Sequence, residues 1–304
     1  MLKKAIGRYL KVRRAAGFDL KVDEGLLGNF ARFAGDRSEV HVRRQTAIDW
    51  AREAPSPPQR ERRLGMVRRF ADHARAEDTA HEIVPRCVFS NSKLRRPSPF
   101  IFSSAELLQL LDATARLRPR GSLRPLTYYT LFGLLAATGL RISEARRLVL
   151  GDVTADGLLV RKTKFRKSRL LPLHETTEAA LNRYLQKRRT VAGGDDHVFI
   201  STKGRALSYA MINGTFHYLL RRVHPGWTPG RQLPRIHGLR HYFAVRALER
   251  SSCGHDLVVR HILALSTYLG HAHVTDTYWY LQATPRLMAG IADACQAFIH
   301  GGKP

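Results

Sequence analysis

Apolar residues recur at helical spacing along the first part of the chain. Ala5, Tyr9 and Val12 fall on one stripe, and Leu26, Leu27, Phe30, Ala31 and Phe33 on a second. Ala47, Ile48 and Ala51 form a third. Ser56-Pro57-Pro58 then breaks the pattern and restarts it, because proline lacks a backbone N–H and fits only the first turn of a helix. Leu64, Val67, Phe70 and Ala71 line the helix that follows, with Arg62, Arg63, Arg68 and Arg69 beside them. The pattern predicts a small all-helical module over residues 1–85 with basic surfaces.

From His81 to Phe100 the periodicity is lost. Pro85, Pro97 and Pro99 punctuate a stretch that carries Lys93, Arg95 and Arg96, which reads as an extended basic linker over 86–100. A new helix starts near Ser103 or Ser104. Glu106 stands three residues after Ser103, the spacing of a capping box, and Leu107, Leu108, Leu110 and Leu111 follow. Pro125 to Gly139 holds an apolar helix, and Ile142 to Leu150 begins another. Leu158, Val160, Leu170, Leu171 and Leu173 predict short strands around a basic turn, with a further strand at Val198, Phe199 and Ile200. Phe216, Tyr218 and Leu219 sit in a helix, as do 238–249 and 257–268. Leu287, Met288, Ile291, Cys295 and Phe298 give an apolar face after Pro285. Residues 101–304 therefore read as one mostly helical domain with a small sheet, and the fold class as mainly α.

Charge narrows the partner. Lys and Arg number 51 against 25 Asp and Glu, a formal net charge of +26 with a pI near 10.9. The excess is spread: +10 over residues 1–97 and +16 over the rest. No single basic tail accounts for it, whereas two basic domains on one duplex would. Such a field attracts polyanions, and nucleic acid leads among them. Cys87, Cys253 and Cys295 lie too far apart for a disulfide framework or a zinc spacing. The start, MLKKAIGRYLKVRR, has neither the apolar stretch nor the cleavage site of a secretory signal. Leu131 to Leu140 is too short to span a bilayer. The expectation is a cytoplasmic, nucleoid-associated protein with no membrane partner.

The chemistry lies in the second half. Arg141 follows Gly139-Leu140, and a guanidinium can donate two parallel hydrogen bonds to phosphate oxygens. Arg240 is a second such donor. His237 precedes it by three residues, so one helical turn sets both on one face. Tyr280 carries a phenol that is neutral at pH 7 and needs neighbouring cations to become a nucleophile. Tyr278, two residues earlier, points elsewhere on a helix. Lys162, Lys164 and Lys167 crowd one basic turn.

The frames Thr138-Gly139-Leu140-Arg141, Lys164-Phe165-Arg166-Lys167, His237-Gly238-Leu239-Arg240-His241, Leu269-Gly270-His271 and Thr277-Tyr278-Trp279-Tyr280 occur in that order, with Tyr280 nine residues after His271. The arrangement resembles the tyrosine recombinases, the phage-integrase family. The segment from Tyr268 to Pro285 looks like the branch encoded by transposons and plasmids. The resemblance implies a helical SAM-like core-binding domain that clamps one face of DNA, and a catalytic domain with a small antiparallel β-sheet. It implies Arg141, Lys164, His237, Arg240, His271 and Tyr280 as the catalytic set. Counting back from Arg169 and Pro172 selects Lys164 as the acid that protonates the leaving 5′ oxygen. His271 contacts a nonbridging oxygen and orients Tyr280, while His241 is structural.

The resemblance also implies a 3′-phosphotyrosine intermediate and a Holliday junction, with no cofactor and no metal. The implied partners are duplex DNA with paired recombination sites, a homo-tetramer on that DNA, and a possible sister recombinase or DNA-bending factor. The last helix docks on a neighbouring protomer or stays in its own core. Competing readings are a type IB topoisomerase, a catalytically inactive DNA-binding regulator, and a metal-dependent nuclease. The sequence offers no clustered carboxylates for the last of these.

Overall fold

The structure, a computed structural model, describes the chain apart from residues 90–99, 162–167, 192, 194, 225, 227–233, 251–254, 272 and 282–304. For 255–259, 279 and 281 it describes the backbone. The expected basic linker residues, Lys164 with its neighbouring lysines, Cys253 and the apolar face after Pro285 lie outside the described residues. The chain divides into two compact units, 1–97 and 98–304.

The described residues of the first unit form four helices, α1 (Leu2–Ala15), α2 (Lys21–Gly35), α3 (Arg44–Arg52) and α4 (Pro57–Ala74). Pro57 and Pro58 open α4 directly after an extended Ser56. Leu27, Phe30, Leu64, Val67 and Phe70 are fully buried between the helices. Two edge-on aromatic pairs, Phe30 with Trp50 and Tyr9 with Phe70, lock the layers at 5.4 and 5.7 Å. On α1 the buried face is Leu2, Ile6, Tyr9 and Leu10, while Val12, expected inside, is exposed. The exit from the unit is tied down by Glu61, whose carboxylate accepts the N–H groups of Cys87 and Phe89.

The second unit is built around α6 (Leu123–Thr138), preceded by α5 (Ser104–Thr114). The capping box of α5 forms as expected, with Ser103 Oγ accepting from the Glu106 N–H and the Glu106 carboxylate accepting from the Ser103 N–H. Tyr128, Leu131, Phe132, Leu134 and Leu135 bury α6 on most of its circumference. A one-turn helix, α7 (Ile142–Ala145), leads to strands β1 (Val153–Thr154), β2 (Gly157–Val160) and β3 (Arg169–Leu171). These make one antiparallel sheet in the order β1-β2-β3, with Leu158 opposite Leu171 and Val160 opposite Arg169. Helices α8 (Glu175–Arg188), α9 (Tyr209–Val223), α10 (Gly238–Glu249), α11 (His255–Leu269) and α12 (Thr275–Leu281) complete the unit.

The fold is mainly helical with a small antiparallel sheet, as the sequence predicts. Two strand expectations are corrected. Leu173 lies beyond β3, which stops where Pro172 removes a ladder donor. Val198–Ile200 is no strand of a sheet; that stretch makes only isolated bridges, His197 to Val149 and Ile200 to Ala206. It is held by single backbone bonds, Val198 N–H to Leu148 O and Leu207 N–H to Phe199 O, and by side chains, with Tyr184 Oη donating to Val198 O and Arg188 Nε donating to His197 O. Among the described residues no helix is long and apolar enough to cross a membrane.

Candidate active site

Four chain segments converge where α6 and α11 end. The first is the turn after α6. Gly139 adopts φ +63 and closes the helix, a conformation that favours glycine. A Cβ at this position would lie 2.5 Å from Phe243 Cδ1 and 2.8 Å from Leu269 Cδ2, so the α10 and α11 side chains press directly on the turn. Two residues on, Arg141 is the N-cap of α7.

Arg240, in the first turn of α10, is 2% exposed. Its Nη1 donates to Gly139 O at 2.6 Å and its Nη2 to Leu269 O at 2.9 Å. The guanidinium thus joins the carboxyl ends of α6 and α11, where the helix dipoles present partial negative charge and stabilise a buried cation. Burial, reinforced by the nearby charge of Arg141, lowers its pKa to about 10, which leaves it charged at neutral pH.

Arg141 donates through Nη1 to Glu144 Oε1 at 2.9 Å and through Nη2 to Gly270 O at 3.1 Å. Its own backbone N–H is accepted by Glu144 Oε2. Glu144 is almost wholly inaccessible, and Arg169 of β3 reaches it as well, with 3.0 and 3.3 Å contacts. Burial alone pushes the Glu144 carboxyl up, but the hydrogen bonds and charges of Arg169 and Arg141 outweigh it and hold the group below the usual carboxylate range. Two guanidiniums, those of Arg141 and Arg169, therefore share this carboxylate, and Arg240 adds a third positive charge nearby that does not hydrogen-bond it. The uncompensated positive charge is what a phosphodiester, and still more a pentacoordinate phosphorane, requires.

His271 follows Gly270, which turns the chain at φ +66. Its Nδ1 lies 2.7 Å from Thr277 Oγ1, so the ring is fixed to the start of α12. Burial, then the charges of Arg240 and Arg141, lower its pKa to about 4. At pH 7 it is a neutral imidazole, able to donate one hydrogen bond without adding charge. His237 caps α10, is exposed, and bears electrostatically on His271.

Tyr280 is 2% exposed and its ring lies parallel to that of His271, with centroids 6.2 Å apart. It stands close enough to Arg240 to couple to that guanidinium electrostatically. Tyr278 is 49% exposed and points away from this cluster, as the helical spacing expects.

The structure therefore brings together Arg141, His237, Arg240, His271 and Tyr280, while Lys164 lies outside the described residues. Three members of the cluster were not singled out for the site. His241, set aside as structural, approaches the Tyr280 hydroxyl with Nδ1 at 3.1 Å. Glu144 and Arg169 underlie Arg141. Glu144 stands three residues after Arg141, at N3 of α7, a spacing that lets its carboxylate accept the Arg141 N–H and that could have found it in the sequence. Among the described residues no three His, Cys, Asp or Glu side chains stand close enough to hold a metal ion.

The model of the phage integrase family matches residues 101–286. A protein described as putative integrase/recombinase y4rB, from Sinorhizobium fredii, is 38% identical over 297 residues, covering 94% of each chain. Two solved structures share the fold. One is the Tn1549 transposon integrase in complex with transposon right-end DNA, with a TM-score of 0.66 at 16% identity, covering 92% of this chain and 94% of that one. The other is a lambda integrase tetramer bound to a Holliday junction, with a TM-score of 0.65 at 15% identity, covering 92% and 76%.

Proposed function

The chain belongs to the phage integrase family, and on that premise we propose that it is a site-specific DNA recombinase that cuts and rejoins duplex DNA through Tyr280. The observation that carries the reading is the meeting of Arg141, Arg240, His271 and Tyr280 in one cation-rich cluster.

The phenol of Tyr280 passes its proton to the neighbouring imidazole of His241, whose Nδ1 lies 3.1 Å from the hydroxyl, as its oxygen attacks the scissile phosphorus. The bond to the 5′ oxygen breaks, and Lys164 supplies the proton that leaves with it as a 5′ hydroxyl. The product is a 3′-phosphotyrosine that conserves the bond energy. Arg141 and Arg240 neutralise the nonbridging oxygens as charge builds in the transition state, and His237 and His271 donate to the same group. A 5′ hydroxyl from a second duplex then attacks the phosphotyrosine and gives its proton to Lys164, while the bond to Tyr280 breaks and the phenol recovers its own proton from His241. Two such exchanges pass through a Holliday junction, with four copies of the chain on two paired sites. A sister recombinase or a DNA-bending factor completes the assembly where the site requires one.

The reading is tested with a supercoiled plasmid that carries two copies of the junction sequences flanking the gene. Deletion or inversion products, with a four-way intermediate on two-dimensional gels, are expected without added metal. Relaxation of the plasmid with no exchanged product would place the activity with type IB topoisomerases instead.

A further inference from the structure

Arg169 takes no part in the attack just described, yet its guanidinium reaches both Glu144 and the end of α11. It is the first residue of β3, and its side chain is 15% exposed. Nη1 and Nη2 both donate to the Glu144 carboxylate, and Nε donates to Tyr268 O at 2.9 Å. The guanidinium also lies under Gly270, where an added Cβ would sit 3.0 Å from Nη1. Glu144 in turn holds both the backbone N–H and Nη1 of Arg141, and Gly270 O accepts from Arg141 Nη2. One planar fork therefore braces both supports of Arg141, and it braces the turn from which His271 projects.

We propose, on the recombinase reading above, that Arg169 is a positioning residue for the phosphate clamp: it shares Glu144 with Arg141 and fixes the Gly270 turn, which keeps Arg141 and His271 aimed at the scissile phosphate.

The argument is one of charge and geometry. A carboxylate has about four acceptor sites, and a guanidinium can fill two of them in a flat bidentate pair. With Arg169 in place, two guanidiniums share Glu144, and Arg141 meets it through Nη1 and its own N–H. Without Arg169, the buried carboxylate has lost its second cation. Arg141 would close on it as a neutral pair, and its hydrogen bonds would be lost to an incoming phosphate. A lysine at 169 retains the charge but cannot hold Glu144 and Tyr268 O at once, because an ammonium lacks the planar fork.

The test uses the full chain in single-turnover cleavage of a nicked duplex at saturating DNA, with the wild type beside Arg169→Gln and Arg169→Lys. Each runs on a normal phosphodiester and on a duplex with a neutral methylphosphonate at the scissile position, which presents no anionic oxygen to clamp. Arg169→Gln should cleave the phosphodiester on the order of 100-fold more slowly, the scale of losing one preorganised donor, with DNA binding changed by less than about threefold. Arg169→Lys should fall between the two. On the methylphosphonate, the gap between wild type and either variant should shrink by about tenfold or more, a narrowing that a general loss of structure would not produce. An equal deficit on both substrates, or a phosphodiester rate within about threefold of wild type, overturns the proposal. If Arg169→Gln has lost cooperative unfolding, the Arg169→Lys comparison decides by the same criteria. If the wild type makes no Tyr280 adduct at all, the recombinase reading itself falls and takes this inference with it.

Discussion

The Tyr280 hydroxyl lies 3.1 Å from His241 Nδ1, with both residues at or below 9% exposure. The candidate nucleophile is thus held by a side chain from the helix that carries Arg240. A buried phenol left without its partner costs on the order of 1–3 kcal/mol, whereas removing both partners costs less. A double-mutant cycle of His241→Leu and Tyr280→Phe, read by urea unfolding, should give a coupling of about 1 kcal/mol. His241→Asn, which keeps a polar atom near the Nδ1 position, should retain most of the stability. Additive single effects would mean that the two side chains do not depend on each other.

Arg240 has a structural task besides any phosphate contact. Arg240→Ala leaves Gly139 O and Leu269 O without their donor at the ends of two packed helices. A loss of roughly 2–4 kcal/mol is expected. Arg240→Lys should recover part of that stability, since it keeps the charge at the two helix ends. Thermal and urea unfolding of the two variants check this apart from any activity.

Gly139→Ala should destabilise by about 2 kcal/mol or more, because it strains a left-handed position and drives a methyl into Phe243 and Leu269. Trimming the obstruction with Phe243→Leu in the same chain should return some of the loss, and the backbone strain should keep the rest.

The pH dependence follows from His271 and Glu144. The folded His271 titrates at about 4, below the ordinary unfolded value of about 6.5. Between those values the unfolded chain binds more protons, so stability is full above about 6.5 and falls as pH drops towards 4. Glu144 is also depressed, so its contribution is present above the ordinary carboxylate range and is lost at lower pH still. Burial lowers His81 and His217 as well, which adds to the upper window. Unfolding free energies measured from pH 7 to 4 should therefore slope less steeply in His271→Gln than in the wild type. Identical slopes would mean that His271 is not buried as a neutral ring.

The sequence made legible those parts whose physical cause is local. The α5 capping box, the proline start of α4 and the apolar α6 depend on residues a few positions apart. Tyr278 could be set apart from Tyr280 by helical spacing and by the nine residues from His271 to Tyr280. Val12 shows the limit of periodicity: Leu2, Ile6 and Leu10 make the competing stripe on α1, and packing selected that one. Val198–Ile200 has the composition of a strand but makes only isolated bridges, and the distant Tyr184 and Arg188 side chains help to hold it. Arg169 reaches Glu144 across 25 positions and Tyr268 across 99. His241 meets Tyr280 across 39. No pattern in one sequence reports such contacts, so the supports of the site emerged only with the fold.

The central claim is that Tyr280 becomes covalently joined to a DNA 3′ end. It is tested most directly by trapping on a nicked duplex that carries the junction sequences around the gene, in EDTA, with wild type beside Tyr280→Phe and Tyr278→Phe. The account predicts a protein–DNA adduct with a blocked 3′ end in the wild type and in Tyr278→Phe, and none in Tyr280→Phe. An adduct that survives in Tyr280→Phe, or tight binding of the duplex with no adduct in any of the three, would contradict it.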